Sequence, residues 1–399
     1  MAVDERRLDQ ARVLLEQAAN DGAFGGAVAL VEQGGQTVAH WAVGYAQREP
    51  AQRPMTGDTI FDLASLTKPV AGATAALLLL EDGVWSLDDA VTRFIPEFGA
   101  NGKQEVTIRH LLTHSSGISG WAATYVHGRD PEAALRFICG LSLGYAPGMD
   151  VQYSDLGYSM LGHLVRRVSG LGLDVLLRER VWQPLGMMDT GYQPDAALKP
   201  RIAATERGNR YEQAMVANLG ETFSDWRPDE ITVGEVNDGN TFYALGGVSS
   251  HAGLFSTALD LRAFARMYLS GGGGVLSPAT LREATSLQTE GLSKSRALGW
   301  ELLRKGRQAR EEWAPGAAAR RVHGAARGSV PVGRTYGDLL SGQTYGHTGF
   351  TGTSMAIDPE RDLAIILLTN RTHPDANNDR ISAVRPRFHN VVAASILAE

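Results

Sequence analysis

The strand-like stretches of this chain sit at its two ends and the helix-like ones in between, and that distribution limits the fold more than any other feature. Near the start, "GAVALVEQGGQTVAHWAVGYA" is two β-rich runs around Gly34-Gly35, the signature of a tight hairpin. Near the end, "GTSMAIDPERDLAIILLTN" is again two apolar runs, with Asp358-Pro359 opening the turn. Between Ser65 and Gly191, "AALLLLEDG", "SLDDAVTRFI", "IRHLLTH", "DPEAALRFICGL" and "LGYSMLGHLVRRVSG" carry helical patterns. The expectation is an α/β (α+β) fold: one antiparallel sheet built from both chain ends, flanked by helices, with a mainly helical lobe inserted. In these terms residues 1–64 and 192–399 form the α/β lobe and 65–191 the helical lobe, with the functional site between them. The N-terminal segment, with Leu8, Ala11, Leu15 and Ala18 on one face, reads as an amphipathic surface helix, and Arg380 to Leu397 as a closing helix.

Composition removes several functional classes. Over 399 residues, 43% hydrophobic and 21% charged residues are those of an ordinary globular protein. A net charge of −6 argues against nucleic acid or an anionic membrane as a partner. The longest apolar run, Val70 to Leu80, is too short to cross a bilayer. The N-terminus lacks the basic start and unbroken apolar segment of a signal peptide, so a cytoplasmic protein is expected, although a mature exported form would read the same. Cys139 is the only cysteine, which rules out an intrachain disulfide, and its apolar context reads as a buried, inert thiol. HExxH, CxxC and Walker A patterns are all missing, so neither a metal nor any other cofactor is expected. Two stretches look irregular: Thr205 to Tyr243, expected beside a pocket, and Gly306 to Asp338, expected as a surface excursion.

One lysine is out of place. In "FDLASLTKPV" a hydroxyl residue and a proline announce a helix, yet Lys68 stands where a capping box takes Glu or Gln. A cation in a first turn opposes the helix dipole, and only five of the 38 basic residues are lysines. Ser65 and Lys68 are three apart, so on a helix their side chains meet. Pro69 belongs in a first turn, which starts the helix at or just after Ser65. A serine hydroxyl there has a backbone N–H able to face an oxyanion, and a buried lysine beside it has its charged form disfavoured by desolvation and dipole.

Two further segments carry candidate chemistry. In "PGMDVQYSDLGYSMLGHLV", Tyr153-Ser154-Asp155 falls in a loop before a helix. A phenol can exchange a proton with a serine when a cation is near, but a lone tyrosine reads first as a packed ring. In "YGHTGFTGTSMAI", His347-Thr348-Gly349 precedes a β run. Gly349 and Gly352 remove side chains where something comes close: an edge strand lining a cleft, or equally a glycine bulge on a structural strand.

The ordered set S-x-x-K, Y-S-x and H-T-G at Ser65, Tyr153 and His347 resembles the serine β-lactamase and penicillin-binding-protein superfamily. It is most similar to class C β-lactamases, DD-peptidases and family VIII carboxylesterases. "LDDAVTRFIPEF", "TIRHLLTHSSGI", "WQPLGMMDTGY", "SSHAGLFSTALDL", "LGW" and "LLTNRTHP" look like further segments of that family, so the resemblance spans most of the chain. It implies an acyl-enzyme hydrolase with Ser65 as nucleophile, Lys68 as its activator, and Tyr153 as base in acylation and acid to the leaving group. It implies an oxyanion hole from the backbone N–H groups of Ser65 and Phe350, and substrate contacts from Asp155, His347, Thr348 and Gly349. Asp155 stands where β-lactamases usually have Asn, and His347 where they usually have Lys. A neutral imidazole gives less positive charge for a substrate carboxylate. The expectation is therefore a carboxylesterase acting on small-molecule, short-chain esters. The alternatives are a β-lactamase or D-alanyl peptidase or aminopeptidase, and a non-catalytic ligand-binding relative. His114 and His251 are expected to be packed, hydrogen-bonded residues; Trp226, Phe242 and Tyr243 are expected in an acyl pocket or in the core.

Overall fold

A computed structural model describes residues 3–303 and 335–397. Most of the expected excursion at Gly306 to Asp338 lies outside the described residues.

The N-terminal hairpin is formed by β1 (Gly26–Gln33) and β2 (Gln36–Gln47), followed by the short β3 (Arg53–Pro54). Its turn places Gly34 at φ 59° and Gly35 at φ 80°, the two left-handed positions a two-residue turn of this twist requires. Three short strands, β4 (Phe61–Asp62), β5 (Gly191–Tyr192) and β6 (Leu254–Ser256), make a separate small sheet in the order β4-β6-β5. The C-terminal strands are β7 (Glu301–Leu302), β8 (Tyr345–Thr348), β9 (Ser354–Asp358) and β10 (Leu363–Thr369). They join the N-terminal hairpin in one antiparallel sheet of order β3-β2-β1-β10-β9-β8-β7. The two chain ends meet at its centre, where β1 pairs β10 from Ala27↔Thr369 to Gln33↔Leu363.

β1 and β10 are buried along their whole length, so their alternating side chains serve two cores. Val28, Leu30, Ile366 and Leu368 face the inserted helices. Ala27, Ala29, Val31, Ile365 and Leu367 lie under the terminal helices Glu5–Asn20 and Ile381–Ser395, whose Leu8, Leu15, Phe388 and Val392 fill that side. The sheet from both ends, its helical cover and the inserted helices are as the sequence implies.

The helix after Ser65 departs from the expected regular α-helix. Ala64–Leu66 is a 3₁₀ turn, Lys68–Ala73 a wide π turn, and α geometry begins only at Thr74–Glu81. Pro69 has no N–H for the ladder, and the Thr74 hydroxyl donates instead to the Pro69 carbonyl (2.8 Å). Ala75 to Leu79 are buried on every face, which makes this helix the centre of the helical core. A Cβ on Gly72 would stand 2.6 Å from the Ser250 carbonyl oxygen, so glycine here lets the Ser249–His251 loop reach the helix.

Thr205 to Tyr243 is more regular than its composition suggests, with a helix at Arg210–Asn218 and a wide turn at Asn240–Ala244. The helix buries only Glu212 and Val216, so it has no apolar stripe for periodicity to detect. Trp226 and Tyr243, both half-buried, pack with Tyr125 and Phe223 in an aromatic cluster, and the half-buried Phe242 lies under the Arg227 guanidinium (3.9 Å). Cys139 is buried and its thiol is pushed up to about 11 by desolvation. Among the described residues no helix is long and apolar enough to cross a membrane.

Candidate active site

The chain brings its three candidate motifs together around one buried lysine. Lys68 is fully buried, with Nζ 3.1 Å from Ser65 Oγ, 2.6 Å from Asp155 Oδ1 and 3.1 Å from the His251 carbonyl oxygen. Tyr153 places its ring 4.6 Å from the same Nζ. Burial lowers the lysine's proton affinity, and the Asp155 carboxylate opposes that shift. Asp155, expected to touch substrate, has its Oδ1 engaged by Lys68 Nζ.

Ser65 is presented on a strained backbone. Ala64 before it has φ 46°, an uncommon conformation for a non-glycine residue, costing on the order of 1–3 kcal/mol. Its N–H donates to Asp62 Oδ1 (2.8 Å), while Asp62 Oδ2 accepts from Asn237 N (2.7 Å). Burial raises the Asp62 carboxyl to about 6.

Tyr153 precedes the helix Asp155–Ser169, which Ser154 caps by accepting from Gly157 N (2.9 Å). The Ser154 N–H donates to His114 Nδ1 (3.0 Å), and the His114 ring stacks on Tyr153 (4.5 Å) and Tyr158 (4.9 Å). His114 is thus the packed residue expected, and it holds the tyrosine loop. Burial, with Asp155 second, raises the Tyr153 phenol well above its ordinary value, so the resting residue is a neutral acid.

The third motif is stitched to the segment before Ser65. The hydroxyls of Thr351 and Thr353 donate to the carbonyls of Asp62 (2.7 Å) and Leu63 (2.9 Å). A Cβ on Gly349 would stand 2.2 Å from the Leu63 oxygen, so what comes close there is the protein's own backbone. The Gly349 N–H donates to Thr353 O (2.8 Å) and is committed. Beyond Gly346, β7 no longer pairs β8, which leaves His347 and Thr348 at an edge among the described residues. His347 Nδ1 donates to the Thr348 carbonyl (2.8 Å), and burial depresses its pKa well below 6.5, so the imidazole is neutral. Phe350 is fixed by the Tyr211 ring (5.0 Å) and the Arg371 guanidinium (4.3 Å), and its carbonyl accepts from Arg371 Nε (2.6 Å).

Two features were not singled out from sequence. Behind Lys68, His251 joins Asp238 (3.0 Å), Ser249 (2.5 Å) and Ser159 (3.2 Å), so this histidine is bonded as expected and also aims its carbonyl at the lysine. In front, Arg296 is buried with Cζ 5.7 Å from the Tyr153 ring centre. Neither had a signal of its own; Arg296 sits just before the "LGW" segment, and Asp238 in a stretch without pattern. No cluster among the described residues could hold a metal ion.

A serine, a buried lysine and a tyrosine in this arrangement, on a terminal-strand sheet with an inserted helical region, define a serine hydrolase of the β-lactamase and penicillin-binding-protein type. Residues 11–385 match the Beta-lactamase family, and the chain belongs to it. It is 32% identical over 338 residues to a putative D-alanyl-D-alanine carboxypeptidase of Escherichia coli K12, covering 80% of this chain and 70% of that protein. A penicillin-binding-protein homologue from Caulobacter crescentus shares the fold, with a TM-score of 0.70 and 22% identity over 99% of each chain. So does a class C β-lactamase from Rhodobacter sphaeroides, with a TM-score of 0.69 and 21% identity over 98% of this chain and 100% of that one.

Proposed function

We propose that this protein is a carboxylesterase that cleaves small, fairly apolar esters through an acyl-enzyme on Ser65, in a site between the sheet and the inserted helices. The observation that carries the proposal is Lys68 Nζ, poised between Ser65 Oγ (3.1 Å) and Asp155 (2.6 Å) in a buried setting that lowers its proton affinity. Ser65 Oγ bonds to the acyl carbon as its proton passes to Lys68. The bond from that carbon to the leaving oxygen breaks as Tyr153 delivers its phenolic proton there, and Lys68 returns a proton to Tyr153. Water then attacks the acyl carbon, its proton entering the same pair, and Ser65 leaves protonated. The N–H groups of Ser65 and Phe350 receive the oxyanion. The neutral His347 at the third motif offers no fixed charge to a substrate carboxylate, which favours esters over peptides ending in one.

A second reading, a D-alanyl carboxypeptidase, rests on the similarity to the Escherichia coli protein of that name. Comparing kcat/KM for p-nitrophenyl butyrate, a D-Ala-D-Ala peptide and nitrocefin ranks the two. The ester is expected to lead; a dominant peptide rate would transfer the assignment. Loss of covalent phosphonate labelling in Ser65→Ala, read by intact mass, checks the nucleophile independently of substrate.

A further inference from the structure

Buried polar atoms are almost always hydrogen-bonded, and exceptions call for an explanation. Around Ser65 three have no hydrogen-bond partner among the described residues: the Tyr153 hydroxyl, His347 Nε2 and Arg296 Nη1. The tyrosine raises the sharper question. Giving its proton to a leaving group makes a phenolate in a low-dielectric site, which is costly unless a positive charge stands near.

The surrounding groups can be taken in turn. Lys68, paired with Asp155 at 2.6 Å, exchanges protons with Ser65 and Tyr153 in the proposed reaction, so its charge is not constant through it. His347 is neutral, and its Nδ1 is used by the Thr348 carbonyl. His114 is neutral as well, its Nδ1 accepting from Ser154 N. Arg296 remains, and a guanidinium is charged at any working pH. Its Nη2 lies 2.9 Å from Glu301 Oε1, and the other Glu301 oxygen accepts from the Tyr336 hydroxyl (3.4 Å). Nη1 has no acceptor among the described residues. The loop is fixed: Arg296 N donates to Thr289 Oγ1 (2.8 Å), and the Arg296 carbonyl accepts from Gln288 N (2.8 Å). Gly299 in the same loop, at φ 88°, packs where a Cβ would be 2.6 Å from the Ala73 Cβ, against the turn that carries Lys68.

We propose that Arg296, from outside the three motifs, supplies the positive charge that stabilises Tyr153 when it gives up its proton, the service a neutral His347 does not perform. Arg296 is then a positioning residue acting through Tyr153. This rests on the acyl-enzyme reading above. Its charge also disfavours the charged form of Lys68, so it biases both members of the proton pair in one direction. The groups facing the pair are Asp155, Asp238, His114, His347, Tyr158 and Glu301; those facing Arg296 are Glu301, Lys294, Tyr336, His114 and His347.

The test is the pH–rate profile of Arg296→Gln on p-nitrophenyl butyrate, an uncharged ester. The expected result is a fall in kcat of about ten- to a hundredfold with KM nearly unchanged. Both limbs of the profile should move to higher pH by about half a unit to one unit, because both groups hold their protons more tightly. Arg296→Lys should recover part of the loss. Glu301→Gln, which leaves the guanidinium uncompensated, should move the profile the other way and serves if Arg296→Gln does not fold. Unmoved limbs with kcat within about twofold of wild type would overturn the proposal. So would a loss confined to KM for a D-Ala-D-Ala peptide, which would make Arg296 a reader of the substrate carboxylate. Phosphonate labelling separates the two levels: an unlabelled wild-type Ser65 means the acyl-enzyme reading is at fault, a labelled one with unmoved limbs means only the role of Arg296 is.

Discussion

Lys68 lies between two polar layers built in opposite ways. Behind it, His251, Asp238, Ser249 and Ser159 bond one another, and the His251 carbonyl receives the lysine. In front, Tyr153, His347 and Arg296 each keep a buried polar atom without a partner among the described residues. A saturated network fixes geometry, because every displacement breaks a bond in a low-dielectric interior. An unsaturated one costs stability and is kept where a reacting group has to be met. The contrast teaches that the site separates holding the lysine from using it.

Four measurements break or sharpen that contrast. The largest effect belongs to Ser65→Ala, expected to lower ester hydrolysis by at least about a thousandfold with the urea midpoint unchanged. Tyr153→Phe should lower kcat by about a hundredfold or more while leaving stability the same or slightly higher, since it removes a buried, unpartnered hydroxyl. A clear loss of stability there would erase the distinction between the layers. Asp238→Ala should do the reverse, destabilising by about 2 kcal/mol in urea titrations with a smaller fall in rate, because it removes the carboxylate that bonds the buried His251 Nε2 (3.0 Å). The smallest effect is expected from Asp155→Asn. The carboxylate raises the lysine's proton affinity, so removing it lowers the Lys68 pKa, more of the lysine is neutral at a given pH, and the acid limb of kcat/KM moves to lower pH. An acid limb that stays in place or moves upward would show that Lys68 does not set it.

How much of this was legible from residues alone varies with the kind of interaction. The hairpin at Gly34-Gly35 and the turn after Asp358 announce themselves through local backbone preference, and the terminal helices through their apolar faces. The helix Arg210–Asn218 did not, because what anchors it is Glu212, receiving the Tyr125 hydroxyl (2.9 Å) and Gly239 N (2.7 Å) across long sequence gaps. Ser65, Lys68, Tyr153 and His347 were legible as motifs because each is marked by its immediate neighbours. Asp155 was legible as a position, but its pairing with Lys68 was not, since that contact joins residues 87 apart. The glycine at 349 showed that something comes close without showing that it is the Leu63 carbonyl.

The sequence by itself determined the strand-forming ends, the helical middle and the presence of a serine and lysine three apart, all of which depend on periodicity or on neighbours along the chain. Tertiary structure alone decided the protonation chemistry. Whether Lys68 is charged, Tyr153 a phenol or His347 neutral depends on desolvation and on charges brought from elsewhere in the chain, Asp155, Asp238 and Arg296 among them. The misplaced cation of "FDLASLTKPV" marked the place; the burial of that cation and the groups around it give the place its chemistry.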